Sequence, residues 1–204
     1  MGSTCKILAI QGSFRKSGKT TTMLKYAANQ AEKLGHNLTY INLFDKNIEY
    51  CRGCRKCMET AECIYKNDDM PEITKLIKEA DVIILAAPVY WANVPAIVKN
   101  LMDRMSGASM LETDYFPKPR LKGKRYILLT ACNTRMPFAK LCGQSSGICR
   151  VVKEYFKTSG VKKIGTVICS NTGKYDGVPQ KKYAKIDKLL KKCSNGFNLQ
   201  NPAK

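Results

Sequence analysis

Four cysteines, Cys51, Cys54, Cys57 and Cys63, fall within thirteen residues in the pattern C-x2-C-x2-C-x5-C. Thiolates this close together hold a metal centre or carry out redox chemistry. Three readings fit the spacing. The first is a [4Fe–4S] cluster, because Cys-x2-Cys-x2-Cys is a cluster-like rhythm and Cys63 can serve as fourth ligand. The second is a zinc site, although two separated cysteine pairs are the more usual pattern for zinc. The third is four free thiols in a loop with Arg52, Arg55 and Lys56 as cationic neighbours.

Two further segments carry chemistry. In Gly12-Ser-Phe-Arg-Lys-Ser-Gly-Lys-Thr-Thr21, two glycines, several hydroxyls, Arg15 and Lys19 precede a helical pattern. Backbone N–H groups and the helix dipole favour an anion there, so the segment reads as a phosphate site. Its ending copies a nucleotide-triphosphate loop, but G-x-x-x-x-G-K-[ST] needs glycine where Ser13 stands, and G-x-G-x-x-G is absent. The alternative is a polar helix cap. In Ala87-Pro-Val-Tyr-Trp-Ala-Asn-Val-Pro95, Tyr90 and the only tryptophan, Trp91, can stack on a flat ring while Asn93 bonds its edge. The alternative is that both aromatics pack under the loop as core.

The elements that position these segments follow from hydrophobic period. Residues 5–11, 38–44, 82–87, 125–131 and 164–169 read as strands. The run Val82-Ile-Ile-Leu-Ala-Ala87 is apolar throughout, as a central parallel strand buried on both faces must be. Helical spacing covers residues 20–34, closed by Gly35, a short helix from Pro71, then 95–105, 147–158 and 179–193. Five strands alternating with five helices predict a doubly wound parallel α/β sheet, with ligands beyond the carboxyl ends of the strands. A single domain over residues 1–204 is expected, with 116–124 a surface loop and 195–204 a loose tail. His36, after Gly35, reads as a surface residue, and Cys132, Cys142, Cys149 and Cys169 as core thiols.

Composition narrows the class. The 204 residues are 44% hydrophobic and 25% charged, which suits a packed domain rather than a disordered chain. No apolar run is long enough to span a bilayer, and the first ten residues lack a signal-peptide core, so a cytoplasmic location with reduced thiols is expected. The net charge of +19 comes from 35 Lys+Arg against 16 Asp+Glu. The cations are spread along the chain without interleaved aromatics, which argues for a soluble surface and against nucleic acid as a partner. Such a surface also attracts NAD(P)H phosphates or an acidic electron-transfer partner.

Gly12-Ser-x-Arg-x-x-Gly-x-Thr20 followed by Pro88-Val-Tyr-Trp-x-Asn-Val-Pro95 resembles the NAD(P)H-dependent FMN reductases of the flavodoxin-like superfamily. Lys99-Asn-Leu-Met-Asp103-Arg104 fits as well, as does the cysteine run leading into Asp68-Asp69-Met70, and the resemblance spans most of residues 5–170. It implies a sheet in 2-1-3-4-5 order and one FMN. The FMN phosphate would lie on Ser13, Arg15, Gly18, Lys19 and Thr20. Pro88, Val89, Tyr90, Trp91 and Asn93 would flank the isoalloxazine. Thr130, Ala131, Cys132 and Asn133 would close its pyrimidine side. Two departures stand out: Cys132-Asn133-Thr134 lacks the glycines common there, and Lys19 stands where many members have Asn. The implied activity is hydride transfer from NAD(P)H to FMN and on to a quinone, flavin or other small acceptor, with no side-chain acid or base. The cysteine spacing also occurs in iron–sulfur flavoproteins of the same superfamily. That implies an alternative, an electron carrier with a [4Fe–4S] cluster on Cys51, Cys54, Cys57 and Cys63. A homodimer or homotetramer, with no membrane partner, is expected from the same resemblance.

Overall fold

The computed structural model describes residues 4–174 and 176–194. At its centre is β3 (Val82–Ala86), every residue of which is buried. A strand apolar on both faces can take neither a solvent face nor a sheet edge, so it recruits neighbours on each side. These are β1 (Lys6–Gln11) on one side and β4 (Arg125–Ala131) on the other. Beyond them lie β2 (Asn37–Asn42) and β5 (Lys162–Cys169). All pairs are parallel and the order is β2-β1-β3-β4-β5, the expected 2-1-3-4-5.

Helices cover both faces. On one, α1 (Lys19–Lys33) and α5 (Gln180–Ser194) press Met23, Leu24, Ala27 and Ile186 onto Ile7, Ile84 and Leu129. On the other lie α2 (Met70–Glu79), α3 (Ala96–Arg104) and α4 (Gln144–Thr158). Their Ile73, Val98, Ile148 and Val152 pack against Leu8, Ile83, Leu85 and Leu128. Among the described residues, no helix is long and apolar enough to cross a membrane.

Several boundaries differ from the expectations. The 116–124 stretch is not wholly loop: Lys118–Pro119 pairs antiparallel with Met110–Leu111. Helix α4 starts at Gln144, before the expected 147, because Gly147 is an interior helical position rather than a start. His36 is buried, not at the surface. With Gly35 at φ +79, the N–H groups of Gly35 and His36 return to the last carbonyls of α1, which turns the imidazole inward. Its Nδ1 accepts from the Cys5 amide at 3.4 Å, and burial lowers its pKa, so the ring is held neutral. Of the four expected core thiols, Cys132 and Cys169 are buried, Cys149 is half-buried, and Cys142 is exposed at the end of a short helical turn. The 195–204 tail lies outside the described residues.

Between β2 and α2 the chain runs for over twenty residues with little regular structure, and this segment carries the four cysteines. A buried ion pair ties it down. Arg104 and Asp68 have side-chain exposures of 1% and 2%. The guanidinium donates to both Asp68 carboxylate oxygens, to the Glu49 carbonyl at 2.7 Å and to the Tyr65 carbonyl at 2.9 Å. Asp68 also accepts from the amides of Glu49 at 3.0 Å and Met70 at 3.1 Å. Burial alone would raise the Asp68 pKa, but Arg104 and the two amides outweigh it and hold the carboxyl below its usual value. Asp68→Asn would strand a buried guanidinium without its counter-charge, and is expected to lower stability by about 3 kcal/mol in urea denaturation. Because the folded-state pKa is depressed, this contribution is present above the unfolded value and lost as pH falls through the folded one. The stability gap between wild type and variant should therefore narrow below about pH 4.

Candidate functional site

The first loop leaves β1 under tight control. A Cβ on Gly12 would lie 2.3 Å from Val98 Cγ2, so only glycine lets the backbone cross α3 there. The Gly12 amide donates to the Ala86 carbonyl at 2.8 Å, extending the ladder. Buried Gln11 donates to the Ser13 carbonyl at 2.7 Å and accepts from the Tyr40 hydroxyl. Thr21 and Thr22 hydroxyls donate to the Arg15 and Gly18 carbonyls at 2.8 and 3.1 Å. These bonds wind the loop around the start of α1. The polar-cap alternative does not describe this helix: Gly18 is its N-cap, makes no side-chain cap bond, and no acid lies in the first turn. The positive end of the helix dipole thus meets the cleft without a side-chain counterpart.

The second loop continues β3, with Ala87 and Val89 amides bonded to Leu129 and Ala131 carbonyls at 3.0 and 2.9 Å. Tyr90 and Asn93 then close a tight turn by exchanging backbone bonds of 3.0 and 2.9 Å. Trp91 and Ala92 between them have φ of +50 and +59. Left-handed backbone at a residue with a Cβ costs roughly 1–2 kcal/mol, so the turn is strained and must be held from outside. Helix α4 does this: a Cβ on Gly147 would fall 2.1 Å from the Ala92 carbonyl oxygen, so glycine brings the helix into direct contact. Tyr90 is 53% and Trp91 100% exposed, so neither packs under the loop as core.

The third loop, after β4, is tied to the loop after β5. Cys132 donates its amide to the Cys169 carbonyl at 3.0 Å, and Thr172 returns one to Cys132 at 3.3 Å. Asn133 Oδ1 accepts from the Gly173 amide at 3.1 Å. Burial raises the pKa of the Cys132 and Cys169 thiols, which keeps them protonated.

These loops enclose a cleft of about 980 Å3 at the carboxyl edge of the sheet. Ser13, Arg15, Gly18, Lys19 and Thr20 line one end. Pro88, Val89 and Tyr90 form one wall, and Ala131, Cys132 and Asn133 the other. No acidic side chain lines it, whereas Arg15 and Lys19 do. Three expected residues lie outside the lining. Trp91 stands at the tip of the strained turn, and the Asn93 side chain is taken by the Val94 amide at 2.7 Å. Thr130 is fully buried, because strand alternation turns it to the same sheet face as Leu128. Ser17, Thr172 and Gly173 join the lining without having been singled out. The last two had a readable signal, since a polar glycine turn after the fifth strand falls at the same edge.

The cysteines are not gathered. Cys51 and Cys54 are exposed, and Cys57 and Cys63 half-buried. Among the described residues, no three His, Cys, Asp or Glu side chains converge to hold a metal ion. The thiol chemistry suits a cluster, but the loop as folded does not fit one. Cys57 is nevertheless fixed: its carbonyl would lie 2.1 Å from a Cβ on Gly107, and Arg120 donates to the Gly107 and Met58 carbonyls at 2.6 and 3.0 Å.

A 2-1-3-4-5 parallel sheet with a phosphate-type loop at its switch edge defines a flavodoxin-like protein. The chain belongs to the NADPH-dependent FMN reductase family, whose model matches residues 5–145. It is 40% identical over 119 residues to an iron-sulfur flavoprotein of Archaeoglobus fulgidus, a match covering 58% of this chain and 50% of that protein. It is 43% identical over 99 residues to an iron-sulfur flavoprotein of Methanocaldococcus jannaschii, covering 48% and 51%. The chain spans about half the length of these curated relatives. A solved FMN-dependent NADH-azoreductase from Bacillus anthracis, in complex with FMN, superposes with a TM-score of 0.71 at 19% identity, covering 96% of this chain and all of that one. At that identity the likeness is one of fold.

Gly147→Ala should force α4 and the Trp91 turn apart and lower stability by about 1–3 kcal/mol. Ala92→Gly should relieve the left-handed strain and raise stability by about 1 kcal/mol. Thermal unfolding of the two variants checks both signs.

Proposed function

We propose that the protein is an FMN-dependent oxidoreductase that takes hydride from NADPH or NADH and passes electrons to a quinone, a flavin or another small acceptor. The observation that carries this reading is the uncapped N-terminus of α1, with Arg15 and Lys19 beside it, facing the Tyr90 loop across an acid-free cleft. When bound, FMN would supply the hydride-accepting chemistry, which needs no protein acid or base. The residues of the chain do the rest. Arg15, Lys19 and the first-turn amides hold a phosphate, with Ser13 and Thr20 hydroxyls as further partners. Pro88, Val89 and Tyr90 give an apolar wall for a flat ring. Ala131, Cys132 and Asn133 close the opposite side, held there by Gly173. The protein acts in the cytoplasm as a homodimer or homotetramer.

A second reading, an iron–sulfur electron carrier with a [4Fe–4S] cluster on Cys51, Cys54, Cys57 and Cys63, is supported by the cysteine spacing and by the names of the two relatives. It requires the loop to draw its thiols together, which they do not do as folded.

Purified protein should take up FMN with a flavin absorption band that bleaches on adding NADPH or NADH. Arg15→Ala should weaken FMN affinity by about tenfold or more, the loss of a charged hydrogen bond. Protein that stays colourless after FMN is added rejects the first reading. Anaerobic purification with iron and acid-labile sulfide analysis decides the second: absence of both leaves four free thiols.

A further inference from the structure

Helix α5 carries more charge than its packing explains. Six of its residues are lysine, and one, Asp187, is acidic. Lys181, Lys185, Lys188 and Lys192 follow at intervals of four, three and four, and all are exposed. At 3.6 residues per turn they fall within an arc of about 60° and form a row about 16 Å long. The apolar side of the helix is committed to the core, where Ile186, Leu189 and Leu190 are buried. Asp187 lies off the row, its Oδ2 accepting from the Tyr26 hydroxyl of α1 at 3.0 Å. None of the four lysines makes an ion pair among the described residues.

The ordinary roles of helix lysines do not account for this row. A lysine in the last turn meets the helix dipole, but the Lys192 and Cys193 carbonyls already accept from Arg125, the first at 3.0 Å. Lysines in the first turn oppose the dipole, and no acid offsets Lys181 and Lys182 there. Lys181 with Lys185, and Lys188 with Lys192, are like charges one turn apart, a spacing that destabilises a helix. Burial lowers the pKa of half-buried Lys182, and the charges of Lys181 and Lys185 add to that. A row of mutually repelling cations is relieved by an array of anions.

The shape of the row selects the array. Among the described residues, no large apolar side chain of α5 is exposed, so the face offers neither base stacking nor insertion between lipid chains. A helix in a nucleic-acid groove meets phosphates on both flanking walls, whereas these four cations project in one direction. A straight, one-sided row meets a plane of headgroups along its whole length. We propose that α5 docks the protein on the surface of an anionic lipid bilayer, with Lys181, Lys185, Lys188 and Lys192 against the headgroup phosphates. No helix among the described residues is long and apolar enough to cross the bilayer, so these residues make a peripheral contact. The net charge of +19 draws the chain toward the same surface, and the row sets which face lands on it. Docking of this kind replaces the expectation of no membrane partner and does not depend on the flavin reading.

Co-sedimentation of the full chain with lipid vesicles tests this. The protein should bind vesicles containing about one-third phosphatidylglycerol and not vesicles of phosphatidylcholine alone. The bound fraction should fall as salt rises from about 50 to 500 mM. A lysine at an anionic surface contributes about a fivefold factor in partitioning, so combining Lys185→Gln with Lys188→Gln should weaken binding by about 25-fold. Combining Lys153→Gln with Lys157→Gln removes the same charge from exposed positions on α4, and should change binding by less than about twofold. Thermal unfolding confirms that the exposed substitutions leave each variant folded. No binding to the anionic vesicles, equal losses from the two pairs, or lysine-row-dependent binding to duplex DNA that is tighter than to vesicles at equal phosphate concentration would each overturn the proposal. Flavin uptake, measured in parallel, reports on the cleft independently.

Discussion

Strand β3 has no polar face, and most of the molecule is arranged to satisfy that. Val82–Ala86 must be covered above, below and along both edges, which requires parallel neighbours and helices on both sides of the sheet. Parallel neighbours in turn require crossovers that return to the same end. The loops that leave β1, β3, β4 and β5 are thereby collected at one edge, where the order reverses between β1 and β3. The cleft is a consequence of burying an apolar strand.

What makes that edge chemically distinct is the open end of α1. The helix begins at a glycine without a side-chain cap, Arg15 and Lys19 line the cleft beside it, and no acidic side chain does. Just past the wall formed by Pro88, Val89 and Tyr90, the turn stores backbone strain at Trp91 and Ala92, held by the close approach of Gly147. Strain of this kind persists only where surrounding packing over-determines it. Gly12 and Gly147 line no part of the cleft, but each allows an approach behind its loops that a methyl group would forbid.

The cysteine segment follows a different logic. It is long and largely irregular, so its position depends on anchors rather than on local propensity. Arg104 with Asp68 ties its far end to α3 and to the Glu49 carbonyl, while Arg120 and Gly107 fix Cys57. The anchors hold the backbone and leave the thiols apart, with Cys51 and Cys54 facing solvent.

The five strands, the five main helices and the phosphate-type loop were all legible in the amino-acid sequence, and the order of the strands followed from the family resemblance. The elements rest on local pattern: the unbroken apolar run of β3, the helical spacing of α1, glycine and hydroxyl residues at a strand-to-helix junction. Topology likewise placed Ser13, Arg15, Lys19 and Tyr90 at one edge, and the resemblance added Asn133 there. The sequence could not tell Thr130 inside from outside, because a one-residue change along a strand reverses the face. Nor could it show His36 turning inward, the ribbon at Lys118–Pro119, Thr172 and Gly173 joining the cleft, or four neighbouring thiols failing to meet. Those are decided by contacts between residues far apart in the chain. Spacing limits how near four cysteines can come, but only the tertiary anchors of their loop determine whether the side chains converge.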